Sequence, residues 1–387
     1  MTYEPIDLLD LDAQLTDEER QVRDAVRSFV EREALPVVNE NFRAETFPLD
    51  LVPSLAALGI FGATIEGYGC AGVGPIAQGL INRELERADS GFRSFSSVQS
   101  SLAMGAIHLH GSEEQRQRYL PEMAAGRILG AFALTESDHG SDPASMETRA
   151  VAVGGGYEIT GSKHWITNAG VAHIVILWAK LDDRVRGFIV DTTLPGFSTS
   201  RIVNKLSMRM GVLSSIGLDG VVVPEDCLLA GTKGLGSALA CLNSARYGIT
   251  WGVTGAASDC LSQTLEYTKA RHQFGRPLAS FQLVQAKLAD MATALSQAQL
   301  LAFQIGRLKE AGKLHPAQVS MAKYNNARVA LDIARTCRDL LGAAGITDDF
   351  SPLRHALNLE TVNTYEGTQH VHQLVLGRHL TGLDAMS

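Results

Sequence analysis

A chain of 387 residues, 45% hydrophobic and 20% charged, is too long for one growing core and reads as two or three packed units of a globular protein. Its net charge of −8 excludes the basic footprint of a nucleic-acid binder, and no apolar run is long enough to span a membrane. Five scattered cysteines without a C-x-x-C pair fit a reducing compartment, and the acidic N-terminus carries no basic leader pattern, so the expected location is cytoplasmic.

The first stretch is helical. Thr16 followed by Glu19 is a capping box that opens an amphipathic run to about Ala34, where Pro36 is expected to stop it. Further on, Gly67-Tyr68-Gly69-Cys70-Ala71-Gly72 matches G-x-G-x-x-G, with Asp89 downstream. A dinucleotide site needs a strand before those glycines and a helix directly after them. Here helices precede, and Pro75 moves the next helix start past the glycines. The run therefore reads as a connection between helices, with a nicotinamide-dependent dehydrogenase as the alternative. Ser112 and Gln115 form a second capping box, opening a helix that carries Leu120 and Met123.

From about residue 131 the texture changes. Short β-branched segments near 157–160, 173–178, 187–190 and 217–223 alternate with Gly, Asp and Pro turns, which predicts antiparallel strands. After about residue 234 helical spacing returns. Val284, Leu288, Met291, Leu295, Ala298, Ala302 and Ile305 make one apolar stripe on a long helix, as expected of a bundle or an oligomer interface. The predicted fold is α+β: a helical unit over 1–130, an antiparallel β unit over 131–233 and a helical bundle over 234–387.

The chemistry-bearing residues are few. His108-x-His110 and His370-x-His372 are spaced two apart, which no helix turns into a chelate, so no metal site is expected. Glu366 stands between Tyr365 and Gly367 with no cation beside it in sequence. An aromatic neighbour favours a raised carboxylate pKa, as a general base needs, and the glycine gives another molecule room to approach. For an isolated Glu-Gly pair a surface turn is the ordinary reading. Glu86 and Arg93 are seven apart, two turns along one face if that segment is a continuous helix, with an Asp89–Arg93 surface pair as the ordinary reading.

Four segments together resemble the acyl-CoA dehydrogenase family over essentially the whole chain: FALTESDHGSD from Phe132, HWITN from His164, RHQFGRPL from Arg271, and YEGT from Tyr365. Within it, DSGFRSFSSVQSSL, DPASMETRA, NSARYGITWG and NLETVNTYEGTQHVHQLVLGR are most similar to glutaryl-CoA dehydrogenases. The sequence departs from the family pattern at Ser137, in the 210–214 run, at Ala343 and Ala344, and at Phe92.

The resemblance implies FAD, lined by Phe132, Leu134, Thr135 and Ser141, with Trp165 and Ile166 on its ring system and Thr167 near N5. Gly342 and Thr368 would touch FAD too, and Arg271, Phe274 and Gln282 would reach the FAD of a neighbouring subunit in a homotetramer. It further implies that Glu366 abstracts the α-proton of an acyl-CoA while a hydride leaves to flavin. Ser141, Asn243, Arg246, Tyr247 and Gly367 would line the substrate, while Arg93 and Ser94, tuned by Glu86, would grip the far carboxylate of glutaryl-CoA. The products would be crotonyl-CoA and CO2, in lysine and tryptophan degradation, with electron-transferring flavoprotein as electron acceptor. The alternatives are a relative with another short substrate or without decarboxylation, and a binding or assembly protein, against which the intact Glu366 argues.

Overall fold

The structure is a computed structural model that describes residues 6–385; the first five and last two residues of the expected terminal units lie outside the described residues. Helix α1 (Asp17–Phe29) opens on the capping box, with Thr16 Oγ1 accepting from Glu19 N–H and Glu19 Oε2 accepting from Thr16 N–H. Pro36 does not stop the run as expected. Val30–Ala34 widens into a π turn in which Leu35 N–H donates to Val30 O, and α2 (Leu35–Ala44) continues. A proline ring crowds the carbonyl four residues back, and the wider turn relieves that crowding. Then come α3 (Val52–Ala57), α4 (Pro75–Ala88), α5 (Ser90–Ser97), a second π turn (Val98–Met104), α6 (Gly105–His110) and α7 (Glu113–Ala124). The glycine run at 67–72 is a loop between α3 and α4, with no strand before it among the described residues.

Seven strands form one sheet. β1 (Gly130–Ala133) and β2 (Arg149–Val153) share one edge of β4 (Ile174–Leu181), and β5 (Arg184–Asp191) takes the other. β2 continues into β3 (Gly156–Thr167), then β7 (Leu213–Pro224) and β6 (Phe197–Arg201). Most pairings are antiparallel as the texture predicts, but β1–β4 and β2–β4 are parallel. Side-chain alternation fixes which face a residue takes, not the direction of a partner brought in from far along the chain. Strand β4 is buried on both faces: Ile174, Ile176 and Trp178 join the core of the helical unit, while Val175, Leu177 and Ala179 fill the β core.

The C-terminal unit comprises α8 (Leu235–Ala270), a short hairpin of β8 (His272–Gln273) and β9 (Arg276–Pro277), α9 (Gln282–Glu310), α10 (Pro316–Leu340), α11 (Pro352–Thr364) and α12 (Gln369–Thr381). The stripe on α9 is buried from Met291 to Ile305, but Val284 and Leu288 are only half-buried and neighbouring Leu283 is 81% exposed. Helix α8 packs against α4 at glycine contacts: a Cβ on Gly255 would lie 1.9 Å from Arg83 O, and one on Gly252 would lie 2.1 Å from Glu86 Oε2. This close approach brings the two helices that carry Arg246 and Glu86 together.

Candidate active site

Helix α11 ends where Tyr365 N–H donates to Thr361 O, and α12 starts at Thr368, whose Oγ1 accepts from Val371 N–H. Between them Glu366 sits at φ +51°, a left-handed conformation that a non-glycine residue adopts only when its surroundings impose it. Three successive carbonyls of this turn receive cationic donors. Lys323 Nζ donates to Tyr365 O and to Gly367 O, both at 2.9 Å, and Arg246 Nε donates to Glu366 O at 2.7 Å. Gly367, at φ +96°, is required by the turn itself: a Cβ there would lie 2.8 Å from the buried His372 ring.

Although no cation adjoins Glu366 in sequence, the fold surrounds it with three. Burial pushes its pKa up, and Arg93, Arg246 and Lys323 hold part of that rise back; the net direction is upward. Its Oε2 is buried without a hydrogen-bond partner among the described residues. Lys323 is itself fully buried, and desolvation, with Arg246 and Arg93 nearby, lowers its pKa to about 7 against the pull of Glu366. Burial, then Lys323 and Arg246, bring His372 down to about 3, so its ring is neutral at ordinary pH. Sequence reasoning missed Lys323 and His372. The signal for the first was present: Lys323 and Asn326 interrupt an otherwise apolar stripe of Val319, Ala330, Ile333 and Cys337 on α10.

Glu86 and Arg93 do not lie on one continuous helix. The chain breaks at Asp89, at φ −167°, between α4 and α5. Asp89 caps α5 by accepting from Gly91 N–H at 2.7 Å, and it takes Arg354 at 2.6 Å and Asn358 at 2.8 Å rather than Arg93. Two turns of unbroken helix would separate positions seven apart by about 10 Å along the axis. Across the break, Arg93 Nε instead donates to Glu86 Oε2 at 2.8 Å, with both side chains fully buried. Arg93 Nη2 donates to the Tyr365 hydroxyl, and Nη1 is buried with no partner among the described residues. Ser94 is buried beside it.

On the sheet side, Phe132 and Leu134 are buried at the end of β1, and Thr135 O accepts from His164 N–H at 2.9 Å. The β3–β7 register slips between Lys163 and Ile166. That irregularity leaves Trp165 at φ +60° and 54% exposed, while the Ile166 side chain turns into the β core and Thr167 stays half-buried. Beneath lies a buried pair: Lys163 Nζ donates to Glu136 Oε1 at 2.9 Å and to Leu134 O at 3.0 Å. Burial opposes the Glu136 charge, but bonds from Glu147 N–H, Thr148 and Lys163 prevail and hold its pKa at about 2.

The fold thus gathers Glu366, Gly367, Thr368, Arg246, Arg93, Ser94 and Glu86, with Asn243 Oδ1 accepting from Arg246 Nη1 at 3.2 Å. Tyr247 departs from this group: its hydroxyl donates to Pro75 O at 2.6 Å and its ring packs with Trp251 and Ile76. Arg271 at the far end of α8, Phe274 in the hairpin and Gln282 at the start of α9 are exposed, and Arg271 lies 25 positions and about 37 Å of helix from Arg246. Ser141 and Gly342 are exposed as well. A separate cavity of about 250 Å³, lined by Gln78, Asn82, Ser96, Ser97 and Lys309 among others, includes none of the Glu366 group.

Family models described as acyl-CoA dehydrogenase N-terminal, middle and C-terminal domains match residues 16–127, 131–221 and 232–381. A short-chain specific acyl-CoA dehydrogenase of Clostridium acetobutylicum is 33% identical over 95% of this chain and 98% of its own. A solved glutaryl-CoA dehydrogenase of Mycobacterium smegmatis, in complex with FADH2, is 47% identical with a TM-score of 0.98, covering 100% of both chains. A chain in the structure of the electron transferring flavoprotein of Acidaminococcus fermentans is 31% identical with a TM-score of 0.92, covering 95% of this chain and 98% of that one.

Proposed function

The chain belongs to the acyl-CoA dehydrogenase family, and from that premise we propose that it oxidises glutaryl-CoA to crotonyl-CoA and CO2. The observation that carries this reading is a pair of unsatisfied atoms in one buried cluster, Glu366 Oε2 and Arg93 Nη1. An unpaired buried donor or acceptor costs about 1–3 kcal/mol, so each favours a ligand that completes it. A carboxylate with a raised pKa suits proton abstraction, and a guanidinium nitrogen without an acceptor suits a second carboxylate. A dicarboxylyl-CoA presents an acidic α-carbon and a distal carboxylate on one short chain, matching both.

The cofactor is FAD, a reading supported by the family and by the reduced flavin in the M. smegmatis relative. The residues fit it: the open Trp165 ring offers a face for a flat ring system, with the half-buried Thr135 and Thr167 as polar neighbours. Phe132, Leu134 and the Ile166 backbone would complete that side, and Gly342 and Thr368 the other. When bound, FAD supplies the acceptor for the β-hydrogen. Glu366 takes the α-proton. The γ-carboxylate then leaves as CO2, its bonding electrons delocalising into the thioester, and protonated Glu366 returns a proton to carbon.

Arg271, Phe274 and Gln282 serve the FAD of a neighbouring chain, a role supported by the length of helix between Arg271 and Arg246, and the proposed working form is the homotetramer that the family resemblance implies. Electron-transferring flavoprotein is the proposed acceptor, and five unpaired cysteines suit the cytoplasm.

The test is anaerobic bleaching of the flavin by a panel of acyl-CoAs, with products read by mass. Glutaryl-CoA should bleach the flavin and yield crotonyl-CoA and CO2, and Glu366→Gln should retain FAD but lose roughly 10²–10⁴-fold in bleaching rate. Unchanged bleaching in that variant would refute the base assignment. Similarity to the short-chain relative favours a second reading, oxidation of a monocarboxylic acyl-CoA without CO2 release. Faster bleaching by butyryl-CoA than by glutaryl-CoA selects it.

A further inference from the structure

We propose that Lys323 is a positioning residue for Glu366: its ammonium, bridging the carbonyls on either side of the base, holds the left-handed turn that aims the carboxylate. The inference rests on Glu366 being the base. A non-glycine residue in the left-handed region is held about 1–3 kcal/mol above relaxed backbone and persists only where its surroundings over-determine it. At Glu366 the determinants can be named. Lys323 Nζ takes Tyr365 O and Gly367 O, Arg246 Nε takes Glu366 O, and the His372 ring fills the space below Gly367.

Among the described residues, Lys323 alone donates to both carbonyls flanking the base. Cations commonly satisfy the last carbonyls of a helix, and the end of α11 needs that service. A capping lysine, however, ordinarily keeps its ammonium in water, whereas Lys323 is fully buried. Its aliphatic stem occupies a position of the apolar stripe on α10, and its charge acts on the Glu366 carboxylate. The charged groups acting on that carboxylate are Arg93 from α5, Arg246 from α8 and Lys323 from α10, with Glu86 behind Arg93, while the His372 ring from α12 lies against the backbone of the same turn. Removing Lys323 therefore both frees the turn and takes away one of the three cations that hold the Glu366 pKa down.

Two variants of the FAD-loaded enzyme separate these effects. Lys323→Met removes both bridges and the charge. Lys323→Gln removes the charge but keeps an N–H₂ donor for the same carbonyls, on a side chain one bond shorter. With Lys323→Met, flavin reduction by substrate should slow roughly 100-fold, the scale of a 1 Å misplacement, while the acyl-CoA dissociation constant changes by no more than about threefold. Lys323→Gln should recover most of that rate, and the acid limb of its pH–rate profile should move to higher pH because Glu366 has lost a neighbouring cation.

Reduction in Lys323→Met at the wild-type rate and with the wild-type acid limb would overturn the proposal. So would a Lys323→Met protein of lowered melting temperature whose folded, FAD-loaded fraction keeps the wild-type rate and acid limb. If Lys323→Met does not accumulate as a folded flavoprotein, an unshifted acid limb in Lys323→Gln decides against the proposal. Glu366→Gln keeps the two readings apart: full activity there refutes the base itself, whereas an inactive Glu366→Gln beside an unaltered Lys323→Met refutes only the positioning role.

Discussion

Arg93 shows what one residue gains from its surroundings. A fully buried guanidinium is tolerable only when paired, and Glu86 and the Tyr365 hydroxyl leave one of its nitrogens open. If that nitrogen anchors a distal carboxylate, Arg93→Gln should lower kcat/KM for glutaryl-CoA by roughly 100-fold or more, in line with about 2–5 kcal/mol for truncating a buried charge pair. Butyryl-CoA, which has no second carboxylate, should lose less than about tenfold. Steady-state kinetics on both substrates read the ratio, and equal losses would remove the anchoring role. The seven-residue spacing of Glu86 and Arg93 was legible in the sequence. Their direct contact was not, because it depends on the break at Asp89, which Arg354 and Asn358 hold from 265 and 269 positions away.

At the scale of elements, the Glu136–Lys163 pair ties the end of β1 to the slipped end of β3, where Trp165 is turned outward. Its contribution depends on pH with a definite sign. The folded pKa of Glu136, about 2, lies below its ordinary value of 4.5, so its stabilisation is complete above pH 4.5 and is lost as pH falls through about 2. Melting temperature measured across that window should fall less steeply in Glu136→Gln than in the wild type, from a lower starting point at neutral pH because Lys163 is left without its carboxylate. Parallel curves would show that the pair does not bear on stability. The motif around Glu136 could be read from sequence as a ligand-facing segment. Its buried ion pair could not, since a Glu and a Lys 27 positions apart carry no mark of being neighbours.

For the whole molecule, the informative surface is apolar and unpartnered in one chain. Phe274 is 93% exposed, Leu283 81% and Leu380 74%, all from the C-terminal unit. Single exposed side chains are ordinary, but here Phe274 lies in the turn of the hairpin and Leu283 in the first turn of α9, near Arg271 and Gln282 in sequence. Light scattering should give four times the chain mass of 41.5 kDa. Leu283→Asp should shift the protein to smaller species and lower its FAD content together. A variant that stays tetrameric with full flavin would contradict an interface at this position.

The sequence by itself determined the order of units, the capped helix starts and the strand-rich middle, and it singled out Glu366 as the proposed base, because caps, periodicity and short motifs are local and each residue type carries its own chemistry. It also suggested that Glu366 has a raised pKa. It did not disclose that the helix survives Pro36 through a π turn, that two strands pair parallel with β4, or that three cations converge on Glu366. Those features depend on contacts between residues tens to hundreds of positions apart, where burial and close approach of helices set both geometry and charge. Tertiary structure alone turned a lone carboxylate in a glycine turn into one held from below by Lys323, faced by Arg93 and Arg246, and left with one oxygen to be satisfied.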